Sequence, residues 1–128
     1  MAAPAPARAF TTVVVINQDG QIATRAINGL NTVPGGAVRG GSPFDSARYH
    51  FGKVFCPFPS ADIMRIRSKH VFVSTDLTVN TVYVASCDHH VLAGTSVDWF
   101  NYEEAMLSPT MRRRTQRLFA RLRLAGAL

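Results

Sequence analysis

In Arg48-Tyr49-His50-Phe51-Gly52-Lys53-Val54-Phe55, Tyr49, Phe51, Lys53 and Phe55 alternate with His50, Gly52 and Val54. That two-residue period reads as a β-strand. Cys56-Pro57-Phe58-Pro59 ends the segment, because two prolines remove ladder donors. Upstream, residues 28–47 carry Gly29, Pro34, Gly35, Gly36, Gly40, Gly41 and Pro43, a density that disfavours any regular element. The expectation there is a long loop, one that moves or covers a site.

Working outward, Ala9 to Ile16 is rich in threonine and valine, Asp19-Gly20 is a two-residue hairpin signal, and Gln21 to Ile27 supplies a returning strand. Between Ile63 and Ser74, Met64, Ile66 and Ser68 alternate with Arg65, Arg67 and Lys69 ahead of Val71-Phe72-Val73. Leu77 to Ala85 is the last clear strand. A helix is predicted from a capping Asp98 to Leu107, with Glu103 and Glu104 in its early turns. Ser108-Pro109 opens another, in which Met111, Thr115, Leu118 and Leu122 share one stripe with Phe119 beside it. The fold class expected is α+β: an antiparallel sheet of about five strands with an N-terminal hairpin, followed by two C-terminal helices. A single domain, 1–128, is divided into a flexible leader (1–8), a core (9–107) and a basic C-terminal helix (108–128).

At 128 residues, 47% hydrophobic and 17% charged, the chain has the make-up of a globular domain. The longest apolar run, Val13-Val14-Val15-Ile16, is far shorter than the ~18 residues of a membrane span and suits a buried strand. The start lacks the order of a secretory signal. Two cysteines without paired spacing point to free thiols in a reducing compartment rather than a disulfide framework. There is no internal repeat and no Walker-type phosphate loop. Net charge is +6 and unevenly placed: residues 1–108 balance eight basic against eight acidic side chains. The remainder holds Arg112, Arg113, Arg114, Arg117, Arg121 and Arg123 and no acid. Such a tail attracts RNA, DNA or an anionic membrane surface. Phe119, Leu122 and Leu124 would give a membrane its apolar contact.

Chemistry concentrates around Ala85-Ser86-Cys87-Asp88-His89-His90-Val91, where a thiol follows a β-type run. A cysteine becomes nucleophilic as a thiolate, which a helix N-terminus or a protonated histidine stabilises. Cys87 is the candidate nucleophile, His50 the general base and acid, and His70 the group that orients the ring. The plain alternative is a buried apolar cysteine and unrelated structural histidines. A zinc site from Cys87, His50, His89 and His90 has no supporting spacing, and no metal or cofactor is expected.

The pairing of Tyr49-His50-Phe51-Gly52 with Ser86-Cys87-Asp88-His89-His90-Val91 resembles the H-box and NC motifs of lecithin:retinol acyltransferase-like proteins, a permuted branch of the papain-like thiol hydrolases. The small 2A proteins of kobuviruses and parechoviruses are similar in size and carry the same pair. The resemblance spans about residues 45–107. It implies a permuted papain-like fold and a viral non-structural protein acting in replication and host interaction in the cytoplasm of an infected cell. Its partners would be host proteins or a second copy. Cys87 would attack an ester or amide carbonyl and form a thioester, the chemistry of a thiol acyltransferase or hydrolase, while His50 shuttles the proton.

The rival reading is an RNA-binding or capsid-forming protein of a small RNA virus or phage. It would use Arg65, Arg67 and Lys69 on phosphates and Tyr49, Phe51 and Phe55 for stacking.

Overall fold

Val13, Val14, Val15 and Ile16 are all buried, so both faces of their strand are covered. A computed structural model, which describes residues 8–55, 65–87 and 97–128, shows how. Its elements run β1 (Ala9–Ile16), β2 (Ile22–Ile27), β3 (Leu30–Thr32), β4 (Gly35–Ala37), α1 (Pro43–Val54), β5 (Arg65–Val73), β6 (Val79–Ser86), β7 (Asp98–Phe100), α2 (Tyr102–Leu107) and α3 (Arg113–Leu124).

The sheet order is β3-β2-β1-β6-β5. β1 and β6 pair in parallel along their whole length, from Ala9↔Val79 to Ile16↔Ser86. On its other edge β1 meets two antiparallel partners, β4 over Phe10 to Thr12 and β2 at Ile16. β7 extends the sheet on β2, and β5 lies antiparallel on β6. The sheet is therefore mixed, and the expected all-antiparallel arrangement is corrected. An apolar run buried on both faces, as in β1, is the mark of a central strand between two helical layers.

One layer is α1. Ala47 and Phe51, with Phe55 just beyond the helix, pack on Val13, Val15, Tyr83 and Ala85. The other layer is α2 and α3, where Ala105, Phe119 and Leu122 pack on Val14, Ile22, Val82 and Val84. Phe51 and Phe119 each gain ~1.5–3 kcal/mol from leaving water. None of the described helices is long and apolar enough to cross a membrane.

Residues 43–54 are helical, which corrects both the strand expected at 48–55 and the long loop at 28–47. The Ser42 side chain accepts the Asp45 amide N–H at 3.2 Å, and Pro43 occupies the first turn. Phe44, Ala47, Phe51 and Val54 then fall on one helical face toward the core. Asn28 and Gly29, both at positive φ (53° and 81°), form the two-residue turn between β2 and β3.

The C-terminal boundaries also shift. Asp98 belongs to β7, and Asn101 caps α2 in a reciprocal box with Glu104. Gln116 of α3 donates to the carbonyls of Ala105, Met106 and Ser108, satisfying acceptors at the end of α2. Ser108-Pro109 lies in a turn before α3. Buried Asn31 fixes that turn: it donates to Thr24 and Asp98, and its side-chain oxygen accepts from the Thr110 hydroxyl. Its backbone exchanges hydrogen bonds with Thr110 and Arg112.

Candidate functional site

The outer flank of α1 carries a groove at each end. At the first, Gly36 of β4 has no side chain and the His50 ring packs against its backbone; an added Cβ would lie 2.5 Å from the imidazole Cε1. His50 Nε2 lies 3.1 Å from the carbonyl of Ala37, an acceptor, so this nitrogen carries the proton and donates. The Arg39 amide donates to the Ser46 hydroxyl at 3.1 Å, tying the glycine-containing segment before the helix to its second turn. A groove of about 340 Å³ results, lined by Ala37, Arg39, Asp45, Ser46, Tyr49 and His50.

At the other end, Arg25 of β2 donates to the carbonyl of Val54, where a cation also complements the helix dipole. Together with Lys53 it borders a second groove of about 400 Å³. Tyr49 stands beside His50 and one helical turn from Lys53. It is 52% exposed, and the Lys53 ammonium sits 5.5 Å from its ring centroid. The two grooves thus bring three cations and an imidazole against a single carboxylate, Asp45. Burial raises the Tyr83 phenol above its usual pKa, and the charge of Asp45 adds to the effect.

The structure does not assemble the expected Cys87–His50–His70 site. Cys87 is 5% exposed in the α1-side core, and its amide donates to the Ile16 carbonyl at 3.0 Å. His50 packs on Gly36, which pairs with Thr11. From Thr11 to Ile16 is ~16 Å along β1 at the rise of a strand. His70 lies on β5 opposite Val82, whose side chain belongs to the α3-side core, so it and Cys87 serve opposite faces. It contacts the Ser68 hydroxyl at 2.9 Å and stacks on Phe72. Asp88, His89 and His90, and nearly all of the expected leader, lie outside the described residues.

Of the expected stacking residues, Tyr49 is exposed whereas Phe51 and Phe55 are fully buried. Arg65, Arg67 and Lys69 are exposed on β5, and all six tail arginines are exposed. Phe119 and Leu122 are at 0% exposure, which leaves Leu124 alone of the apolar contacts expected for a membrane surface.

Sequence reasoning named Tyr49 and His50 but placed them on a strand, and it gave no role to Arg25, Arg39, Asp45 or Lys53. Ser42-Pro43 followed by Asp45 carried the helix-start signal, and Gly36 marked a close approach. Nothing local announced that Arg25 would reach the end of α1.

A divalent cation is held by several oxygen ligands, carboxylates above all. α1 offers Asp45 alone, and among the described residues no three His, Cys, Asp or Glu side chains converge. The described donors do not fit such an ion.

No family model matches the sequence, and neither does any curated protein. Solved structures do match in fold. DR0079 from Deinococcus radiodurans aligns with TM-score 0.71 at 18% identity, covering 89% of this chain and 81% of that one. A mutT/nudix family protein from Listeria innocua gives 0.68 at 13% identity, covering 96% of both. The Caenorhabditis elegans Ap4A hydrolase gives 0.66 at 11%, covering 95% and 98%. The chain has the fold of Nudix hydrolases. This overturns the H-box/NC resemblance and, with it, the permuted papain-like fold, the Cys–His thiol acyltransferase or hydrolase, and the viral replication or shell-building roles. The physical reason is plain: the histidine segment is a helix beside β4, and the cysteine closes a central parallel strand inside the core.

Proposed function

We propose that the protein binds the phosphate chain of a nucleoside polyphosphate along the outer flank of α1. The observation that carries this reading is the basic lining of the two grooves, Arg39 and His50 in one and Arg25 and Lys53 in the other, with Tyr49 between them. Guanidinium and ammonium groups neutralise phosphate oxygens directly, and an exposed phenol ring offers a face to a base. The fold neighbours support the ligand class, since one is a hydrolase of Ap4A, itself a nucleoside polyphosphate. Binding is the part of this reading that the described side chains support directly, since the groove linings supply cations that neutralise phosphate oxygens. Hydrolysis of the same ligands is the second reading, favoured by the Nudix hydrolases among the fold neighbours.

Calorimetry with ATP and with Ap4A, in EDTA and in magnesium, tests both. Binding should survive EDTA, weaken roughly tenfold or more in Arg39→Ala, and tighten a few-fold in Asp45→Asn, which removes the one negative charge of the first groove. Absence of binding to either nucleotide would end the proposal. Magnesium-dependent release of phosphate or nucleotide would put the hydrolase reading in its place.

A further inference from the structure

The six tail arginines fall on and just before a helix whose apolar face is already committed. Thr115, Phe119 and Leu122 are buried against the sheet, while Arg112, Arg113, Arg114, Arg117, Arg121 and Arg123 are all exposed. Among the described residues the one ion pair is Arg123 with Glu103, at 3.8 Å between two well-exposed side chains. Arg114, Arg117 and Arg121 follow at three- and four-residue spacing, so they stand in one stripe and repel one another. Arg113 and Arg114 add charge at the helix end whose dipole is already positive. This arrangement costs the isolated helix stability and would be offset by an external polyanion.

Arg121 joins the stripe to the sheet. The Arg121 guanidinium lies 5.5 Å from the Phe72 ring centroid, and Phe72 stacks on His70 with ring planes 8° apart. Ser68, His70 and Phe72 alternate on the α3-facing side of β5, which ends the sheet order. A row of guanidinium groups leading onto half-exposed rings pairs phosphate contacts with a stacking platform. A lipid surface fits less well, because Phe119 and Leu122, the side chains that would insert, are fully buried.

We infer that α3 and the facing side of β5 form a binding surface for single-stranded nucleic acid, with Arg114, Arg117 and Arg121 on phosphates and the His70–Phe72 pair taking a base. The surface is separate from the α1 grooves, which lie on the other face of the sheet.

Fluorescence anisotropy of the full chain with a labelled 20-nucleotide oligouridine tests the inference. The affinity should fall with salt, and Arg114→Gln/Arg117→Gln/Arg121→Gln should weaken binding tenfold or more while flattening the log–log salt slope by about 2, at ~0.7 for each phosphate contact. Arg117→Gln alone, whose melting should match the parent, should give about a third of that change in slope. His50→Ala should leave oligonucleotide binding intact, so this surface and the nucleotide proposal can fail independently. An unchanged slope in the triple variant, or no anisotropy rise at low salt, would overturn the inference. So would anionic vesicles that bind the chain and displace the oligonucleotide.

Discussion

Gly36 and His50 show how one missing Cβ shapes the candidate site. The imidazole occupies the space a side chain at position 36 would need, so Gly36→Ala should push the ring off the Ala37 carbonyl and deform the first groove. Overpacking of this kind costs about 1–3 kcal/mol, and nucleotide affinity should fall several-fold with it. A denaturant melt and calorimetry on that variant measure both; parent-like values in each would mean that the ring relocates freely. His50 and Cys87 were both legible as chemistry-bearing residue types, but residue type does not encode separation. Their partners are set by β-pairing of distant segments, and Cys87 proves to be a core residue in the plain sense of a small apolar side chain.

α1 shows why the period of a short segment can mislead. Tyr49, Phe51, Lys53 and Phe55 alternate by coincidence, whereas the core contacts run Phe44, Ala47, Phe51 and Val54, a spacing visible only when the window extends back to Ser42. β1, β2, β5 and β6 were legible within a residue or two because their β-branched runs are long; α2 was legible as a helix ending at Leu107, but its start reads too early, because Asp98 looks like the cap that Asn101 provides. The β5–β6 turn carries a pH dependence of its own. Asp76 is held at about 2, below the ordinary 3.8, chiefly by the Ser74 hydroxyl and then by Thr78. A lowered carboxyl pKa stabilises the fold fully above the unfolded value, and that contribution disappears as pH falls from about 4 through about 2. Urea midpoints at pH 5, 3 and 2 should therefore decline more steeply for the parent than for Asp76→Asn, which should start lower at pH 5. Parallel declines would show that the turn carboxylate contributes nothing.

For the whole molecule, two helical layers clamp a sheet whose centre is the parallel β1–β6 pair, and any ligand of the α1 flank stabilises that arrangement by mass action. A nucleotide at a hundred times its dissociation constant should raise the unfolding free energy by about 2.7 kcal/mol, read as a rise of several degrees in melting temperature. A melting temperature indifferent to saturating nucleotide would deny a site formed by the native state. The parallel pairing was the part of the fold least legible in sequence, since nothing local links Ala9 to Val79, yet Val13 to Ile16 and Val82 to Ala85 are buried on both sides, the pattern of an interior strand pair. That same pairing governs how the chain must come together during synthesis. Thr11 meets Thr81, 70 positions later, so an apolar strand made near the start waits without its principal neighbour until β6 has left the ribosome. A nascent chain stalled before Val79 would carry β1 with its β6 edge unpaired and its α3-side face uncovered, and such fragments should depend on a holding chaperone or precipitate.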